Sequence, residues 1–200
     1  MDKKFNNPKI TISKVYTRKG DKGYTELIGG SKVKKSSVRI HGFGEIDELN
    51  VAVGSCAVSL NSLKVDDKNH ILNIILKIQN DLFNLGNMIA FPGKIDSKMP
   101  QIKKNAIDYL ENKIDTYNQK LDTLSSFVLP GGSELNIKFH FARVLCRRCE
   151  RYLSGIIESE SIDIIIIQYL NRLSDLLFVL SRYANKILLS DEILWNPNFK

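Results

Sequence analysis

From about residue 45 onward, the apolar residues of this 200-residue chain recur at the spacing of an α-helix. In His70–Ala90, isoleucine or leucine returns every three or four residues, and the run ends at a Phe-Pro-Gly sequence. The stretches with this period are Glu45–Val58, His70–Ala90, Ile102–Leu121, Glu134–Glu158 and Ile162–Leu189. Helices of this length with short connections pack economically as a bundle. The sequence therefore predicts an all-α fold, a five-helix bundle.

Two local features bear on where the last two helices begin. Ser133 follows the turn sequence Leu-Pro-Gly-Gly, so its hydroxyl is placed to cap the fourth helix. The β-branched run at 162–169 is also compatible with a strand. No other stretch supplies a convincing partner strand, and we therefore interpret this run as the start of the fifth helix.

The first 40 residues lack the helical period and are rich in Gly, Lys and Thr. We expect an irregular N-terminal arm over residues 1–40 and a helical bundle over residues 41–200, both within one domain. The arm holds 11 Lys or Arg and 3 Asp or Glu, whereas the whole chain carries a net charge of +7, so all of the excess positive charge lies in the arm. Such a segment suits a nucleic acid, a membrane surface or a nucleotide.

The start of the chain and its apolar runs give an expectation about its compartment. MDKKFNNPKI has neither the apolar segment of a signal peptide nor the Arg-rich character of a transit peptide. Uninterrupted apolar runs such as Ile164–Ile167 are too short to span a bilayer. We therefore expect a cytoplasmic protein without a membrane partner, and we leave an organellar location open.

The arm contains a stretch with the composition of a phosphate-binding loop. Tyr16–Thr25 (YTRKGDKGYT) is followed by Gly29-Gly30 and then by Lys32, Lys34 and Lys35. Glycines let backbone N–H groups turn toward an anion, while hydroxyls and lysines add donors and charge. The stretch matches neither the Walker A nor the dinucleotide-binding pattern. A solvated basic loop therefore remains the alternative.

The predicted fourth helix carries a concentration of arginines. Arg143, Arg147 and Arg151 lie four residues apart on one face, with Arg148 at its edge and Glu150 nearby. Guanidinium groups are planar donors of fixed charge that suit phosphate or carboxylate. The alternative is an exposed basic face with ordinary ion pairs, but clustering like charges deep in a bundle would be costly.

Two further polar groups are candidates for the same site. Asp47 and Glu48 are expected in the first turn of the first helix, where acids favour the helix dipole; pairing with an arginine of the fourth helix is the functional alternative. On the last helix, Asn171 and Asp175 share a face. An inward Asn needs a partner, and an ordinary hydrogen bond between helices explains it equally well.

The cysteines and histidines do not form a metal or redox site in the sequence. Cys146 and Cys149 fit a C-x-x-C spacing, but they fall on the apolar side of a mid-helix stretch, so we expect core residues. The three histidines have no helical spacing to one another or to a useful carboxylate, and no Glu-x-x-His pattern occurs. We therefore assign no metal-ligating residue from the sequence and expect no protein-bound transition metal.

Taken together, the motifs resemble one family, the PduO-type cob(I)alamin adenosyltransferases. Four blocks carry the resemblance in matching order, with Lys35 and Arg39 just beyond the first. They are Tyr16–Gly30 (YTRKGDKGYTELIGG), Gly44–Gly54 (GEIDELNVAVG), Phe127–Arg151 (FVLPGGSELNIKFHFARVLCRRCER) and Tyr169–Asn185 (YLNRLSDLLFVLSRYAN). Any one block could arise by chance, but four in register are specific. Within Ile95–Thr123 the likeness is weak, so no corrinoid contact is placed there.

The resemblance implies a homotrimer with an active site at each subunit interface and assigns roles to matching residues. The arm would wrap the triphosphate of ATP, with matching positions Thr17, Arg18, Lys19, Gly20, Thr25, Glu26 and Lys35. The fourth and fifth helices would bind nucleotide through Arg147, Arg148, Cys149, Glu150, Arg151 and Asn171. Asp47 and Arg143 would pair between subunits beside the corrinoid, and Phe127 would displace the lower axial ligand of cobalt.

The resemblance also implies a reaction. Cob(II)alamin without its lower ligand is more easily reduced to cob(I)alamin, which attacks the 5′ carbon of ATP, forms adenosylcobalamin and expels triphosphate. ATP would bring Mg²⁺, and a reductase and an adenosylcobalamin-dependent acceptor enzyme are possible partners. No general base is needed, because no proton is removed; catalysis would rest on positioning and on cations around the leaving group.

Two other classes of function compete with this interpretation. A helical module that binds nucleic acid through the arm would bind in a salt-dependent manner and ignore ATP. Against it, the arm offers few aromatic residues for stacking, and the chain lacks a helix-turn-helix or RNP pattern. A scaffold bundle without chemistry would assemble but would show no affinity for nucleotides.

Overall fold

The computed structural model describes residues 15–93 and 99–199, and in these ranges the fold is built on five helices. Residues 1–14 of the predicted arm lie outside the described residues. The helices are α1 Val38–Asn61, α2 Lys68–Ala90, α3 Lys104–Asn118, α4 Glu134–Ile156 and α5 Ile165–Ile187. The predicted all-α bundle is confirmed, and the run at 162–169 leads into a helix rather than a strand. No helix of the described part is long and apolar enough to cross a membrane.

The core forms where the apolar stripes of the helices meet. Helix α4 packs against α1 and α5, while α2 lies on α1 and α3 lies on α5. Side chains that repeat at helical spacing, such as Ile78 and Leu85, are fully buried there, as are Phe139 and Leu170. Each such burial stabilises the fold by about 1.5–3 kcal/mol relative to exposure. The core therefore fixes which side of α4 faces outward.

Helix α1 begins at Val38, well before the predicted start at Glu45. The glycines in this stretch obscure the helical period, but Gly42 is required there: a Cβ on it would lie 2.8 Å from Leu153 Cδ2 on α4. Asp47 consequently lies inside the helix, and the first turn of α1 holds no acidic residue. The prediction of a first-turn acid favouring the helix dipole is therefore wrong.

The segment predicted as an irregular arm contains a short β-hairpin. Strand β1 (Tyr24–Glu26) pairs antiparallel with β2 (Lys32–Lys34), and Thr25 lies opposite Val33. No periodic signal marks the hairpin in the sequence, because each strand has only three residues. The hairpin turns the basic stretch into a shaped surface rather than a loose loop.

Hydrogen bonds tie the hairpin and the start of α1 to the rest of the bundle. The backbone N–H of Ile28 donates to the carbonyl of Ala90 at 3.0 Å, where α2 ends. Nearby, Arg39 is only 6% exposed and donates from Nε to Glu160 (2.9 Å) and from a terminal nitrogen to the Ile89 carbonyl (2.8 Å). Arg39 thus links the start of α1 to the end of α2 and to the segment that follows α4, and in this chain its guanidinium is committed to structure.

A second small sheet joins the loop before α4 to the C-terminal segment. Strand β3 (Val128–Leu129) pairs antiparallel with β4 (Ile193–Leu194), and the N–H of Trp195 donates to the Phe127 carbonyl at 2.7 Å. This sheet was not predicted, because two-residue strands leave no recognisable pattern. It fixes the loop that carries Phe127.

Helix α4 begins with a polar cap that agrees with the sequence prediction. The Ser133 hydroxyl accepts from the Asn136 N–H at 3.2 Å and donates to Asn185 Oδ1 at 2.8 Å. The fully buried Asn136 accepts from the Gly131 N–H (3.1 Å) and donates to the Ser181 carbonyl (2.9 Å). These bonds fasten the first turn of α4 to α5.

We expect Asn136→Ala to lower the stability of the folded chain by about 1–3 kcal/mol, since it removes the partner of the half-buried Gly131 N–H and one hydrogen bond to the buried Ser181 carbonyl. Thermal melts at one fixed protein concentration measure the effect. The matched control is Asn112→Ala on the exposed surface of α3, which should change stability by no more than about 0.5 kcal/mol. Equal melting temperatures for the two variants would contradict the structural role of Asn136.

Candidate active site

The hairpin and the turn before it enclose a cleft of about 460 Å³. Its size falls in the range of small-molecule sites. It is lined by Thr17, Lys19, Gly20, Tyr24, Thr25, Glu26, Lys32 and Lys35. Every arm residue predicted to contact ATP is therefore brought to one place, with the exception of Arg18. The Arg18 guanidinium lies instead 5.7 Å from the centre of the Tyr16 ring.

Backbone geometry places an ammonium group inside this cleft. The Gly23 N–H donates to the Gly20 carbonyl at 3.1 Å, and the Lys35 N–H donates to the Gly23 carbonyl at 2.9 Å. Gly23 has a φ of +78°, which favours glycine. A Cβ on Gly20 would stand 3.0 Å from Lys35 Nζ. The missing side chain at Gly20 thus leaves the room in which the Lys35 ammonium lies.

The charge of the cleft favours an anion. Lys19, Lys32 and Lys35 line it against a single carboxylate, Glu26. Within residues 15–93 and 99–199, the side chains of Lys19 and Lys35 have no hydrogen-bond or ion-pair partner. Lysines on a surface that also offers hydroxyls and turned backbone groups suit a phosphate chain.

The arginines of α4 divide into a free group and a paired one. Arg147 and Arg151 are exposed, and neither guanidinium has a partner in the part of the chain that the structure describes. Arg148 instead donates to Glu45 at 2.7 Å and also pairs with Glu48. These carboxylates raise the pKa of Arg148 and neutralise its charge. In this conformation Arg147 and Arg151 are available to an anion and Arg148 is not.

The predicted contact between α4 and α5 is present. Asn171 Nδ2 donates to Glu150 Oε1 at 2.9 Å, which sets an amide and a carboxylate beside the free arginines. Asp175 does not join this pair, because it accepts from Arg172 at 3.1 Å. The amide and the carboxylate can therefore contact a ligand that lies on the arginine face.

Phe127 and Arg143 line a second cleft, of about 720 Å³. The Phe127 ring is 78% exposed and meets the Trp195 ring edge-on at a centroid distance of 6.2 Å. The cleft is lined by Leu124, Ser125, Ser126, Phe127, Val128, His140, Arg143, Phe178 and Trp195. An exposed aromatic ring held by a sheet and a tryptophan is suited to contact a large apolar face.

Asp47 lies on a different surface from Arg143. It lines an apolar groove of about 660 Å³ between α1 and α4, and in the described residues its carboxylate has no partner. Val51 (71% exposed) and Phe141 (55% exposed) show how much apolar surface this groove leaves open. The arm cleft likewise contains no residue of α4. A single chain therefore presents the parts of the predicted site on separate surfaces.

Comparison with known proteins decides the family. Over residues 15–184 the chain matches the family described as cobalamin adenosyltransferase. The chain belongs to this family. A corrinoid adenosyltransferase from Mycobacterium leprae is 40% identical over 195 residues, which cover 94% of this chain and 98% of that protein. A cobalamin adenosyltransferase from Cupriavidus metallidurans is 40% identical over 184 residues, which cover 92% and 95%.

Solved structures of this adenosyltransferase family share the fold. A variant of the PduO-type ATP:corrinoid adenosyltransferase from Lactobacillus reuteri, complexed with cobalamin and ATP, matches with a TM-score of 0.83 and 34% identity. The match covers 92% of this chain and 99% of that one. None of these comparisons supports the alternative of a module that binds nucleic acid.

Cys149 has to be removed from the set of side chains that can touch a ligand of this adenosyltransferase. Cys146 and Cys149 are both fully buried in the core, as the apolar pattern predicted. Burial raises the pKa of the Cys149 thiol to about 12, so the thiol stays protonated and unreactive. Cys149 therefore falls within the predicted nucleotide-binding segment of the sequence, but its side chain points into the core.

The histidines of this family member are less isolated than the sequence indicated. His41 Nε2 lies 3.4 Å from Glu45 Oε1, four residues along α1, so the prediction that no histidine meets a useful carboxylate at helical spacing is wrong. On α4, His140 contacts Arg143 across three residues. In the described residues, no group of three or more His, Cys, Asp or Glu could hold a metal ion.

His140 is the site residue that the sequence analysis missed. It is 3% exposed, its Nδ1 lies 3.3 Å from Arg143 Nε, and its Nε2 lies 3.2 Å from the Ser181 hydroxyl. Burial, with the Arg143 charge adding to it, lowers the pKa of His140 from 6.5 to about 4. The i,i+3 spacing to Arg143 was the signal that could have revealed it.

We expect His140 to make folding pH-dependent. The unfolded chain binds a proton at this histidine below about pH 6.5, but the folded chain does so only near pH 4, so stability falls as the pH drops through that window, by about 3 kcal/mol at most. In the His140→Asn variant, the free energy of unfolding should depend less on pH between about pH 6.5 and pH 4.

Urea unfolding at steps from pH 7 to pH 4.5 measures the slope. The control is His70→Asn at the exposed His70, which should keep the slope of the unaltered protein. A His140→Asn curve that runs parallel to the unaltered one would show that this histidine does not carry the dependence.

Proposed function

We propose that this chain transfers the 5′-deoxyadenosyl group of ATP to the cobalt of cob(I)alamin and releases triphosphate, as a homotrimer with an active site at each subunit interface. One observation carries the proposal: this adenosyltransferase-family chain bears two cationic surfaces whose side chains have no partner among the described residues. They are the arm cleft with Lys19 and Lys35 and the α4 face with Arg147 and Arg151. A triphosphate is the part of the substrates that needs both.

The chemical step is a displacement at carbon. The electron pair of cobalt(I) forms the cobalt–carbon bond. The bond from C5′ to the triphosphate oxygen breaks, and the triphosphate leaves with the electron pair of that carbon–oxygen bond. Cobalt ends as cobalt(III). No proton moves, so the protein needs no general base, and its contribution is to align the substrates and to stabilise charge that builds on the leaving group.

The arm and α4 supply that stabilisation. Lys35 Nζ lies beside Gly20, where a phosphate oxygen can approach the backbone, and the Thr17 and Thr25 hydroxyls line the same cleft. Arg147 and Arg151 would meet the triphosphate from the other side. Fixed cations of this kind favour the transition state, in which the leaving oxygen is more negative than in ATP.

Glu26 would provide the protein ligand for a Mg²⁺ ion that arrives with ATP. It is the carboxylate that lines the arm cleft, with the Thr17 and Thr25 oxygens beside it. Magnesium ions commonly use one or two carboxylates together with substrate phosphates and water, so this donor set fits. When bound, the ion would add positive charge at the phosphates.

The separate surfaces of the single chain support the trimer. Asp47 and Arg143 carry opposite charges without a carboxylate–guanidinium contact between them, and the groove at Asp47 exposes apolar side chains that a second copy would cover. Pairing Asp47 of one subunit with Arg143 of the next would satisfy both. The same rotation would bring the arm cleft of one subunit to the arginine face of its neighbour.

Phe127 would act on the corrinoid. Its exposed ring, braced by Trp195, can occupy the space of the lower axial ligand of cob(II)alamin. Four-coordinate cobalt(II) then accepts an electron more easily from a one-electron reductant, which a reductase would supply. The product would pass to an enzyme that uses adenosylcobalamin.

We expect Lys35→Ala and Arg147→Ala each to reduce turnover about 30- to 1000-fold, since each removes a charge-assisted contact worth roughly 2–4 kcal/mol to the transition state. The assay follows loss of cob(I)alamin absorbance under anaerobic conditions with and without ATP. Arg172→Ala is the matched control, because Arg172 is already neutralised by Glu111 and Asp175.

Co-expression of the Lys35→Ala and Arg147→Ala chains with different tags tests the interface. If Lys35 and Arg147 meet from neighbouring subunits, about a quarter of the sites in randomly mixed trimers regain both groups, and activity returns accordingly. If both groups of a site belong to one subunit, every site still lacks either Lys35 or Arg147, and no activity returns. An unaltered, assembled protein without any turnover would overturn the proposed function itself.

For Phe127→Ala we expect the rate from cob(II)alamin and a reductant to fall far more than the rate from chemically pre-reduced cob(I)alamin. The ring is proposed to act before the reduction and not in the transfer. Parallel anaerobic assays from the two oxidation states measure the ratio, and each serves as the control for the other. Equal losses in the two assays would exclude the ligand-displacing role.

A further inference from the structure

A continuous hydrogen-bonded chain runs from the wall of the Phe127 cleft into the core. Arg143 Nε donates to His140 Nδ1 at 3.3 Å, His140 Nε2 lies 3.2 Å from Ser181 Oγ, and Ser181 Oγ donates to the Phe178 carbonyl at 2.6 Å. These bonds join Arg143 and His140 of α4 to Ser181 and Phe178 of α5. All but Ser181 also line the cleft.

The donors and acceptors in this chain are compatible with one form of the imidazole. A guanidinium nitrogen can only donate, so His140 Nδ1 must be the acceptor. The Ser181 hydroxyl already donates its one hydrogen bond to the Phe178 carbonyl, so its oxygen must accept from His140 Nε2. His140 is therefore neutral, with its proton on Nε2.

The surroundings of His140 keep it in that form. From α4 it faces the Arg143 charge, and from α5 it faces the Ser181 hydroxyl. The carboxylate of Glu192, in the C-terminal segment, favours the protonated imidazole. This carboxylate is, however, bound by both Nε and a terminal nitrogen of Arg182, at 2.6 and 2.9 Å. A protonated imidazole would place two cations in contact.

We propose that neutral His140 is a positioning residue for Arg143. It fixes the Arg143 side chain through Nε, and both terminal nitrogens, which have no partner within residues 15–93 and 99–199, remain available at the wall of the cleft that Phe127 lines. The inference rests on the proposed role of Arg143 beside the corrinoid. It adds that the acceptor must be uncharged and that Ser181 sets which nitrogen of His140 accepts.

Two substitutions of similar size separate positioning from packing. In His140→Asn the amide oxygen can replace Nδ1 and still accept from Arg143 Nε. In His140→Gln the amide reaches toward Ser181 but leaves no acceptor at the Nδ1 position. For cob(II)alamin with a reductant, we expect kcat/KM to fall at least about tenfold further in His140→Gln than in His140→Asn, as for loss of a hydrogen bond to a charged group. KM for ATP should move less than about threefold in either.

The tautomer can be observed without turnover. The chain has three histidines, so ¹⁵N-histidine labelling gives few signals, and His140→Asn assigns the one that disappears. We expect an unprotonated Nδ1 and a protonated Nε2 at pH 7, and Ser181→Ala should weaken that preference. A protonated Nδ1 at pH 7 would overturn the proposal.

The kinetic outcomes distinguish this inference from the proposed function. If Arg143→Ala loses activity and the two His140 variants are equally active, the positioning role fails and the function stands. If Arg143→Ala keeps full activity, the proposed role of Arg143 beside the corrinoid is wrong, and the positioning role of His140 is wrong as well. Equal losses in both His140 variants, with the trimer intact by sedimentation, would assign His140 to packing and also overturn the inference.

Discussion

The packing of α4 between α1 and α5 is the interaction on which the rest of the structure depends. One side of α4 fills the core with Ala142, Cys146, Cys149 and Leu153, all fully buried. That burial holds the opposite side, with Arg143, Arg147 and Arg151, in fixed register despite the repulsion expected between like charges four residues apart. Because the core fixes the helix, a cationic surface that an isolated helix would resist becomes a permanent feature of the fold.

The sequence predicted those parts of the molecule whose signal is periodic or compositional. The five helices follow from apolar spacing, and the placing of Lys35 with Gly20 follows from a stretch rich in Gly and Lys. It could not predict the start of α1, because Gly42 is there for close packing against Leu153, a contact distant in sequence. Strands of two or three residues left no pattern either, although β3 and β4 hold the loop of Phe127.

Charge alone also did not reveal which arginines are free. Arg147 and Arg148 are neighbours in sequence, yet one has no partner among the described residues and the other is bound by Glu45 and Glu48 of α1. The difference depends on how α1 and α4 face each other, which is a property of the packed bundle. The candidate site was therefore predictable as a set of residue types, and its division into structural and available groups required the fold.

That division explains why a neutral histidine suits Arg143. Arg148 shows the alternative: carboxylates fix its guanidinium but cancel its charge. A carboxylate in place of His140 would hold Arg143 equally well and would remove the positive charge from the cleft wall. An imidazole with its proton on Nε2 accepts one hydrogen bond and adds no charge, so the guanidinium is oriented and stays cationic. The same burial that lowers the pKa of His140 therefore keeps Arg143 the charged member of the pair, so that it stays available to the Asp47 carboxylate that we propose the next subunit supplies.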